Sequence, residues 1–336
     1  MWANNLRVFA VFAVIVLHIA SGFVGNIEMS EPDYGGYNWW AGNIFDSITR
    51  WCVPLFVMIS GYFLLCKDEG NFIFFKKRIK KILIPLIFWS LIFSFWILFI
   101  AYIRGDIEEG YKEIVRGVAL GRPYFHLWYL FMIPLLYIIT PILRLCLSTW
   151  SKNEILFFIL FSFFLAAINA LFNNFSSNLS LKPEGILFTN IFLSYIGYYL
   201  LDGYINQFQI KTNTKICITV LFVSLSITIL GSYFFSYKYF YSYLSINTIL
   251  ASVSLFLLIR KHINIDLKLS HASKLSFGIY LVHPILLDIF LSLAKDSFLS
   301  TINIYGYIPL VSILIFISSY VTIIIMSKTK YLSKCI

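Results

Sequence analysis

Charged residues are scarce in this sequence. Asp, Glu, Lys and Arg make up only 12% of its 336 residues, about half the share that is typical of a soluble protein. Hydrophobic residues make up 60% and aromatic residues 19%. A soluble domain has too small an interior to hide so many apolar side chains, so the composition predicts a polytopic membrane protein. Because little of the chain is left for a fused soluble domain, we predict one membrane domain over residues 1–336.

Several common motifs are missing as well. The five cysteines show no Cys-x-x-Cys spacing, so the sequence suggests neither a disulfide framework nor a zinc site. It contains no Walker loop and no GxGxxG, GxSxG or HExxH motif, and we predict neither a pump nor a metalloenzyme. The net charge of +10 is typical of the basic cytoplasmic loops of membrane proteins, and we read it as a topology signal rather than as a nucleic-acid footprint.

Apolar runs, each long enough to cross a bilayer, recur along the chain and predict an all-α bundle of about ten transmembrane helices. The predicted spans are residues 6–25, 43–66, 82–103, 127–147, 154–172, 185–202, 214–234, 244–260, 275–293 and 305–326. With ten crossings, both termini lie on the same side. That side carries 18 of the 26 Lys and Arg residues, so the positive-inside rule predicts cytoplasmic termini. The outer loop at 104–126 has the composition of a short surface helix.

The first predicted helix carries two ionisable residues, Arg7 and His18. Their spacing places them on one helix face, about 16 Å apart along the axis. Ionisable groups inside a membrane helix usually face the bundle interior and mark functional sites. Position alone leaves Arg7 open between a topology anchor and a functional residue. His18 is the candidate general base because imidazole titrates near neutrality, and the alternative is a histidine bonded to a neighbouring helix.

Asp46 and Arg50 lie four residues apart in the second predicted helix. At this spacing the two side chains are able to neutralise each other. One interpretation is an internal ion pair that fixes helix packing. The other is a catalytic role, in which the pair orients His18 or stabilises a developing oxyanion. The sequence leaves both open.

Five cations precede the third predicted helix, at Lys76, Lys77, Arg78, Lys80 and Lys81. They are either a topology signal in a cytoplasmic loop or an anion site. Two of them, Arg78 and Lys81, share a helix face at i,i+3 and are spaced to grip a phosphate.

His126 and Trp128 mark the outer end of the fourth predicted helix. Such rings suit the binding of a sugar acceptor, and they equally suit an interfacial aromatic belt. His283 stands next to Pro284 in the ninth predicted helix, and there we expect a structural hydrogen bond rather than catalysis.

Seven short segments stand in a characteristic order along the chain. They are Asn4-Asn5-Leu6-Arg7 with His18, Ser47-Ile48-Thr49-Arg50, the run VPLFVMISGY at 53–62, Arg78-Ile79-Lys80-Lys81, Phe125-His126-Leu127-Trp128-Tyr129, Tyr137 with Pro141, and Ser276-Phe277-Gly278-Ile279-Tyr280 with His283. In this order they resemble the membrane-bound acyltransferase 3 family. Within that family the chain looks most like the inner-membrane O-acetyltransferases of bacterial surface polysaccharides, such as those of enterobacterial common antigen. Two positions depart from the family pattern: Lys81 replaces an arginine, and Asn4 replaces the aspartate of many members.

The resemblance implies an O-acyltransferase of the bacterial inner membrane. Its donor would be acyl-coenzyme A, usually acetyl-CoA, and its acceptor a hydroxyl of a surface polysaccharide or a lipid-linked precursor. By matching position, His18 is the essential histidine, and Arg7, Arg78 and Lys81 belong to the donor site. The cations would then hold the phosphates while the pantetheine arm reaches His18, which acts as a general base or carries the acyl group itself. Membrane lipid and polysaccharide-assembly proteins are expected partners, with no nucleic acid and no metal.

The main alternative is a transporter or flippase for a lipid-linked saccharide, since the helix count and the buried charge suit it too. Transporters often show inverted repeats and paired helices broken by Gly or Pro, and neither is evident in this sequence. A third class, an inactive structural member of a polysaccharide assembly complex, would not need Arg7 and His18 on one face.

Overall fold

The computed structural model describes residues 1–25, 27–67, 69–178, 191–265, 267–294 and 301–336. Every regular element in these ranges is helical, so the prediction of an all-α protein is confirmed. The α-helices, in chain order, are α1 Trp2–Ser21, α2 Tyr37–Ser47, α3 Cys52–Leu64, α4 Asn71–Arg104, α5 Ile107–Ala119, α6 Trp128–Thr149, α7 Lys152–Asn178, α8 Ile191–Ser194, α9 Ile196–Gln207, α10 Thr214–Gly231, α11 Tyr237–Phe240, α12 Ile246–His262, α13 Ser270–Ala294 and α14 Ile304–Ser327. A π-helical turn, Ser232–Ser236, joins α10 to α11.

Within the described ranges, eight helical spans are long and apolar enough to cross a membrane. The protein is therefore a multi-pass membrane protein, and these spans correspond to eight of the ten predicted ones. The eighth predicted span, 244–260, coincides with α12, whose 17 residues are slightly too few for it to be counted among these eight spans. The sixth, 185–202, lies partly outside the described residues, and its described part contains α8 and the start of α9.

The second predicted span, 43–66, is not one continuous helix. It is divided into α2 and α3 by a turn that contains Arg50. Pro54 has no amide hydrogen, so it cannot complete the helical hydrogen bond to the carbonyl of Arg50, and the helix is interrupted there. At the end of α2, the Thr49 hydroxyl donates a hydrogen bond to the carbonyl of Phe45 at 2.7 Å. The break therefore places a charged side chain inside the bundle.

The basic cluster is helical rather than part of a loop. The third predicted span begins at residue 82, whereas α4 already begins at Asn71. Its 34 residues make a helix about 51 Å long, which exceeds the roughly 30 Å of bilayer hydrocarbon. Because Lys and Arg are good helix formers, the helix continues through the cluster. Arg78 and Lys81 consequently lie on one rigid helix face.

Helix α1 is the centre of the bundle, where it contacts α2, α3, α12, α13 and α14. Most of its side chains are buried, so Arg7 and His18 lie among other helices. The C-terminal residue, Ile336, lines the same cavity as Arg7, which places both chain ends at one end of the bundle. The surface helix expected between residues 104 and 126 is α5, where the Asp106 carboxylate accepts a hydrogen bond from the Glu109 amide at 3.3 Å.

Gly61 permits a close contact between two helices of the bundle, α3 and α9. A Cβ added to Gly61 in α3 would lie 2.0 Å from the carbonyl oxygen of Tyr199 in α9. Only glycine permits this approach, as in other membrane helix pairs that meet through small residues.

Candidate functional site

A cavity of about 390 Å³ opens among α1, α3, α4, α6 and α13. Its lining includes Arg7, Arg78 and Lys81, the three residues that the sequence assigned to the donor site. Lys274 of α13 adds a fourth cation, which the sequence reading missed. The volume lies in the usual range of small-molecule sites, and the structure thus gathers side chains from three separate helices into one basic cavity.

Three of these cations have no carboxylate partner among the described ion pairs: Arg7, Lys81 and Lys274. The Arg7 guanidinium lies 4.3 Å from the centre of the Phe63 ring, which is a cation–π contact and not a neutralising one. Asn4 does not pair with Arg7, and its side-chain oxygen instead accepts a hydrogen bond from Ser273 at 3.1 Å. The uncompensated charges favour binding of an anion in the cavity.

Arg78 has an internal counterion at the edge of the cavity. The Glu69 carboxylate accepts a hydrogen bond from Lys77 at 2.5 Å, and its other oxygen lies 3.7 Å from the Arg78 guanidinium. The hydrogen bond from Lys77 lowers the pKa of Glu69, and the nearby positive charges act in the same direction. The segment carrying Glu69 is held by Arg144 of α6, which donates to the carbonyls of Leu64 and Glu69. An anion entering the cavity would compete with Glu69 for Arg78.

Three histidine rings meet farther along the bundle. His18 of α1 lies nearly parallel to His283 of α13, with ring centres 5.3 Å apart. His126, which precedes α6, lies 5.6 Å from His283. Phe125 packs edge-on against His18 at 4.8 Å, and it is itself 47% exposed. We call His18, His126 and His283 the histidine cluster; its His18 side lies against an exposed ring and is the accessible one.

Tyr280 lies between the cavity and the histidine cluster. Its ring lines the cavity and packs against His126 at 5.3 Å and His283 at 6.1 Å. Its hydroxyl donates to the backbone carbonyl of His126. His18 does not line the cavity, so a ligand held by the cations would meet Tyr280 before it reached His18.

Asp288 of α13 fixes the segment that carries His126. One carboxylate oxygen accepts hydrogen bonds from the Tyr124 hydroxyl at 2.6 Å and from Trp96 Nε1 at 2.9 Å. The Tyr124 ring in turn stacks on Phe93, which also contacts His126. These contacts tie the segment before α6 to both α4 and α13.

Asp46 and Arg50 form a fork-like ion pair at the break between α2 and α3. Arg50 Nε and Nη2 donate to the two carboxylate oxygens of Asp46, which is fully buried, and Nη1 donates to the carbonyl of Tyr241 at 3.1 Å. The pair thus satisfies its own charge and ties the break to the segment before α12.

Trp128 belongs to the Arg50 region rather than to the histidine cluster. Its ring packs against Tyr243 at 6.0 Å and Tyr195 at 5.9 Å, and Tyr243 also lies 5.8 Å from the Arg50 guanidinium. Of the two residues that the sequence proposed for the acceptor, His126 therefore joins the histidine cluster through His283, and Trp128 does not touch the histidine rings in the described contacts.

The residues that the sequence reading missed or set aside are Lys274, Tyr280, His283, Arg144 and Asp288. A signal for Tyr280 was present, because Ser273, Phe277 and Tyr280 follow one another at helical spacing and line the cavity as one face of α13. In the parts of the chain that the structure describes, no group of three or more His, Cys, Asp or Glu side chains has the geometry to hold a metal ion.

The family model of the acyltransferase domain, acyltransferase 3, matches residues 2–327 of the chain. The chain belongs to this family. Membership makes the protein an acyltransferase and favours O-acyl transfer over the transporter alternative. No curated protein matches the chain, and no solved structure does.

Proposed function

We propose that this acyltransferase moves an acyl group, by default acetyl, from cytoplasmic acyl-coenzyme A to a hydroxyl of a bacterial surface polysaccharide or its lipid-linked precursor. The observation that carries the proposal is the adjacency of two sites. The basic cavity of Arg7, Arg78, Lys81 and Lys274 ends at Tyr280, and the histidine cluster begins at the same residue. A donor with an anionic nucleotide end and a thioester tip matches that order.

The cations would bind the donor phosphates through charge-assisted hydrogen bonds. The slender arm would extend along the apolar wall of the cavity towards Tyr280, which places the thioester next to the histidine cluster. His18 would then take the proton of the acceptor hydroxyl. The hydroxyl oxygen bonds to the acyl carbon while the carbon–sulfur bond breaks, and the sulfur leaves as the thiol after taking up the proton. A two-step route, in which His18 first accepts the acyl group, uses the same residues.

The orientation follows from charge. The loops, helix ends and chain ends on one side carry 18 of the 26 Lys and Arg residues, which supports cytoplasmic termini in a bacterial inner membrane. The donor cavity would then open towards the cytoplasmic coenzyme A pool and the histidine cluster would lie nearer the outer surface. Reporter fusions near residues 110 and 240 are expected outside, and those near 75 and 332 inside. An outside C-terminus would contradict this orientation.

Activity is tested in the producing cell, which contains the natural acceptor. Mass spectrometry of surface polysaccharide should show an acyl increment that disappears when the gene is deleted and returns with the wild-type gene. His18→Ala should not restore it, because loss of a general base costs about 10²–10⁴-fold in rate. The matched control is His271→Ala, since His271 is exposed near the start of α13 and contacts Tyr320 instead of the cluster. Restoration by His18→Ala would remove His18 from the mechanism.

A further inference from the structure

His283 occupies an unusual position in α13 because a proline follows it. In an α-helix, the amide of residue 284 would donate to the carbonyl of residue 280. Pro284 has no amide hydrogen, so the carbonyl of Tyr280 loses this partner. A backbone carbonyl in a membrane span needs a replacement donor, because no water is available there.

The imidazole of His283 supplies that donor. Its Nδ1 lies 2.8 Å from the carbonyl oxygen of Tyr280. A carbonyl oxygen only accepts hydrogen bonds, so Nδ1 must carry the hydrogen. In the neutral ring, Nε2 is then the unprotonated nitrogen with a free lone pair. The proline thereby fixes both the ring orientation and the tautomer of His283.

No group in the described part of the chain donates a hydrogen bond to the unprotonated Nε2. His283 is fully buried, and its Nε2 has no hydrogen-bond partner there. Both ring nitrogens of His126 are also buried without a partner, although the Leu281 carbonyl lies near that ring outside hydrogen-bonding geometry. Buried polar atoms are normally paired, and an unpaired one calls for an explanation such as an ordered water, a bound ligand or a functional role.

The surroundings of this nitrogen fit a hydroxyl-rich ligand. The His283 ring lies 5.3 Å from His18 and nearly parallel to it, and the exposed Phe125 flanks His18 on the accessible side. A hydroxyl group donates one hydrogen bond and accepts others, so it satisfies an unprotonated ring nitrogen directly. A sugar or other polyol has a second hydroxyl adjacent to the first, so one such ligand is able to offer separate hydroxyls to two neighbouring rings.

We propose that His283 binds the acyl acceptor: its Nε2 accepts a hydrogen bond from one hydroxyl of a polyhydroxylated acceptor and so positions a neighbouring hydroxyl against His18. His283 is then a substrate-binding residue of the transfer reaction rather than only a structural one. The inference rests on the proposed function, because it takes His18 as the group that activates the acceptor.

Two substitutions distinguish an acceptor-binding role of His283 from a purely structural one, because each keeps a hydrogen-bonding group near the position of only one ring nitrogen. His283→Asn keeps an amide donor near the position of Nδ1, so the Tyr280 carbonyl stays satisfied, but it removes the acceptor at Nε2. His283→Gln places its amide oxygen near the position of Nε2 and loses the donor at Nδ1. A purely structural His283 predicts that Asn is tolerated and Gln is harmful. Acceptor binding predicts the reverse order.

The assay uses native membranes that contain the natural acceptor, with radiolabelled acetyl-CoA at varied concentration. We expect His283→Asn to lower kcat at least ten-fold at an unchanged donor KM, by analogy with the loss of one hydrogen bond to a substrate hydroxyl. His283→Gln should lose clearly less activity than His283→Asn, although it leaves the Tyr280 carbonyl unpaired and should therefore lower thermal stability. His271→Asn is the matched control and should behave as wild type. Loss of activity in both His283 variants, or in the Gln variant alone, would overturn the acceptor role, as would full activity in both.

A second measurement does not depend on activity. Nitrogen-15 NMR of the histidine-labelled protein in lipid nanodiscs, with the His283 signals assigned by their absence from His283→Asn, should show Nδ1 protonated and Nε2 unprotonated. A protonated Nε2 would overturn the inference. If wild-type membranes transfer no acyl group, the proposed function and the acceptor role are both overturned. If wild type transfers the acyl group, and His283→Asn is tolerated whereas His283→Gln is harmful, only the His283 role is overturned.

Discussion

Arg7 offers the most direct test of the donor cavity. Its half-buried guanidinium lines the cavity, rests on Phe63, and is absent from the described ion pairs. If it binds a donor phosphate, Arg7→Gln removes one charge-assisted hydrogen bond, worth about 1.5–3 kcal/mol. The dissociation constant for the donor should then rise about 10- to 150-fold.

Thermal unfolding in lipid nanodiscs measures this loss without any turnover. The probe is a thioether analogue of acetyl-CoA, which cannot transfer its acyl group. At a concentration 100 times the wild-type dissociation constant, the analogue should stabilise wild type by about 2.7 kcal/mol. After a 30-fold loss of affinity, the same concentration should stabilise Arg7→Gln by only about 0.9 kcal/mol. Without the analogue, the variant should lose at most about 0.5–1 kcal/mol of stability, because no ion pair is broken and only the cation–π contact with Phe63 is removed.

The matched control is Lys80→Gln. Lys80 is exposed, lies beside Lys81 in α4 and does not line the cavity. It carries the same charge, so a general electrostatic effect would act on both variants. Equal stabilisation of Arg7→Gln and wild type by the analogue, or equal losses in the Arg7 and Lys80 variants, would refute a phosphate contact at Arg7. Lys81→Gln should raise the dissociation constant about five-fold, since solvent screens its partly exposed charge, and Lys81→Arg should bind the donor at least as well as wild type.

Three further substitutions test other parts of the site. Glu69→Gln removes the anion beside the Arg78 guanidinium and should lower the donor KM about two- to five-fold; an increased KM would mean that Glu69 supports donor binding. Asp46→Asn should lower the stability by about 3–5 kcal/mol because it leaves a buried charge unpaired, and adding Arg50→Gln should restore folding; full acyl transfer by the double variant would eliminate a catalytic role for the pair. Gly61→Ala should separate α3 from α9 and reduce thermal stability and folded yield. Gly70→Ala should be neutral, because its Cβ would meet no atom within 4 Å. A stable Gly61→Ala protein would contradict the close contact.

The composition of the sequence was sufficient to predict an all-α membrane protein. Apolar runs reveal helices because each span must satisfy its own backbone hydrogen bonds within the bilayer. The sequence predicted the helix boundaries less well. The sequence predicted that the third helix begins at residue 82, whereas α4 begins at Asn71, because a hydropathy pattern detects the lipid-facing part of a helix and not its extension into water.

Helical periodicity also predicted which residues share a face. Arg7 and His18 lie on α1, and Arg78 and Lys81 on α4, and the structure places these faces towards the bundle interior or its cavity. The hydrogen bond expected for His283 is present and follows from the neighbouring proline. These are local relations, which depend only on the geometry of one helix.

Contacts between helices were decided only by the tertiary structure. Nothing in the local sequence indicates that Lys274 of α13 joins the cations of α1 and α4, or that His283 stacks on His18. The same holds for Trp128, which packs near Arg50 although its position in sequence suggested a place beside His126. A helix pattern specifies which face is turned inward but not which other helix it meets, because that choice depends on side-chain packing between segments far apart in the chain.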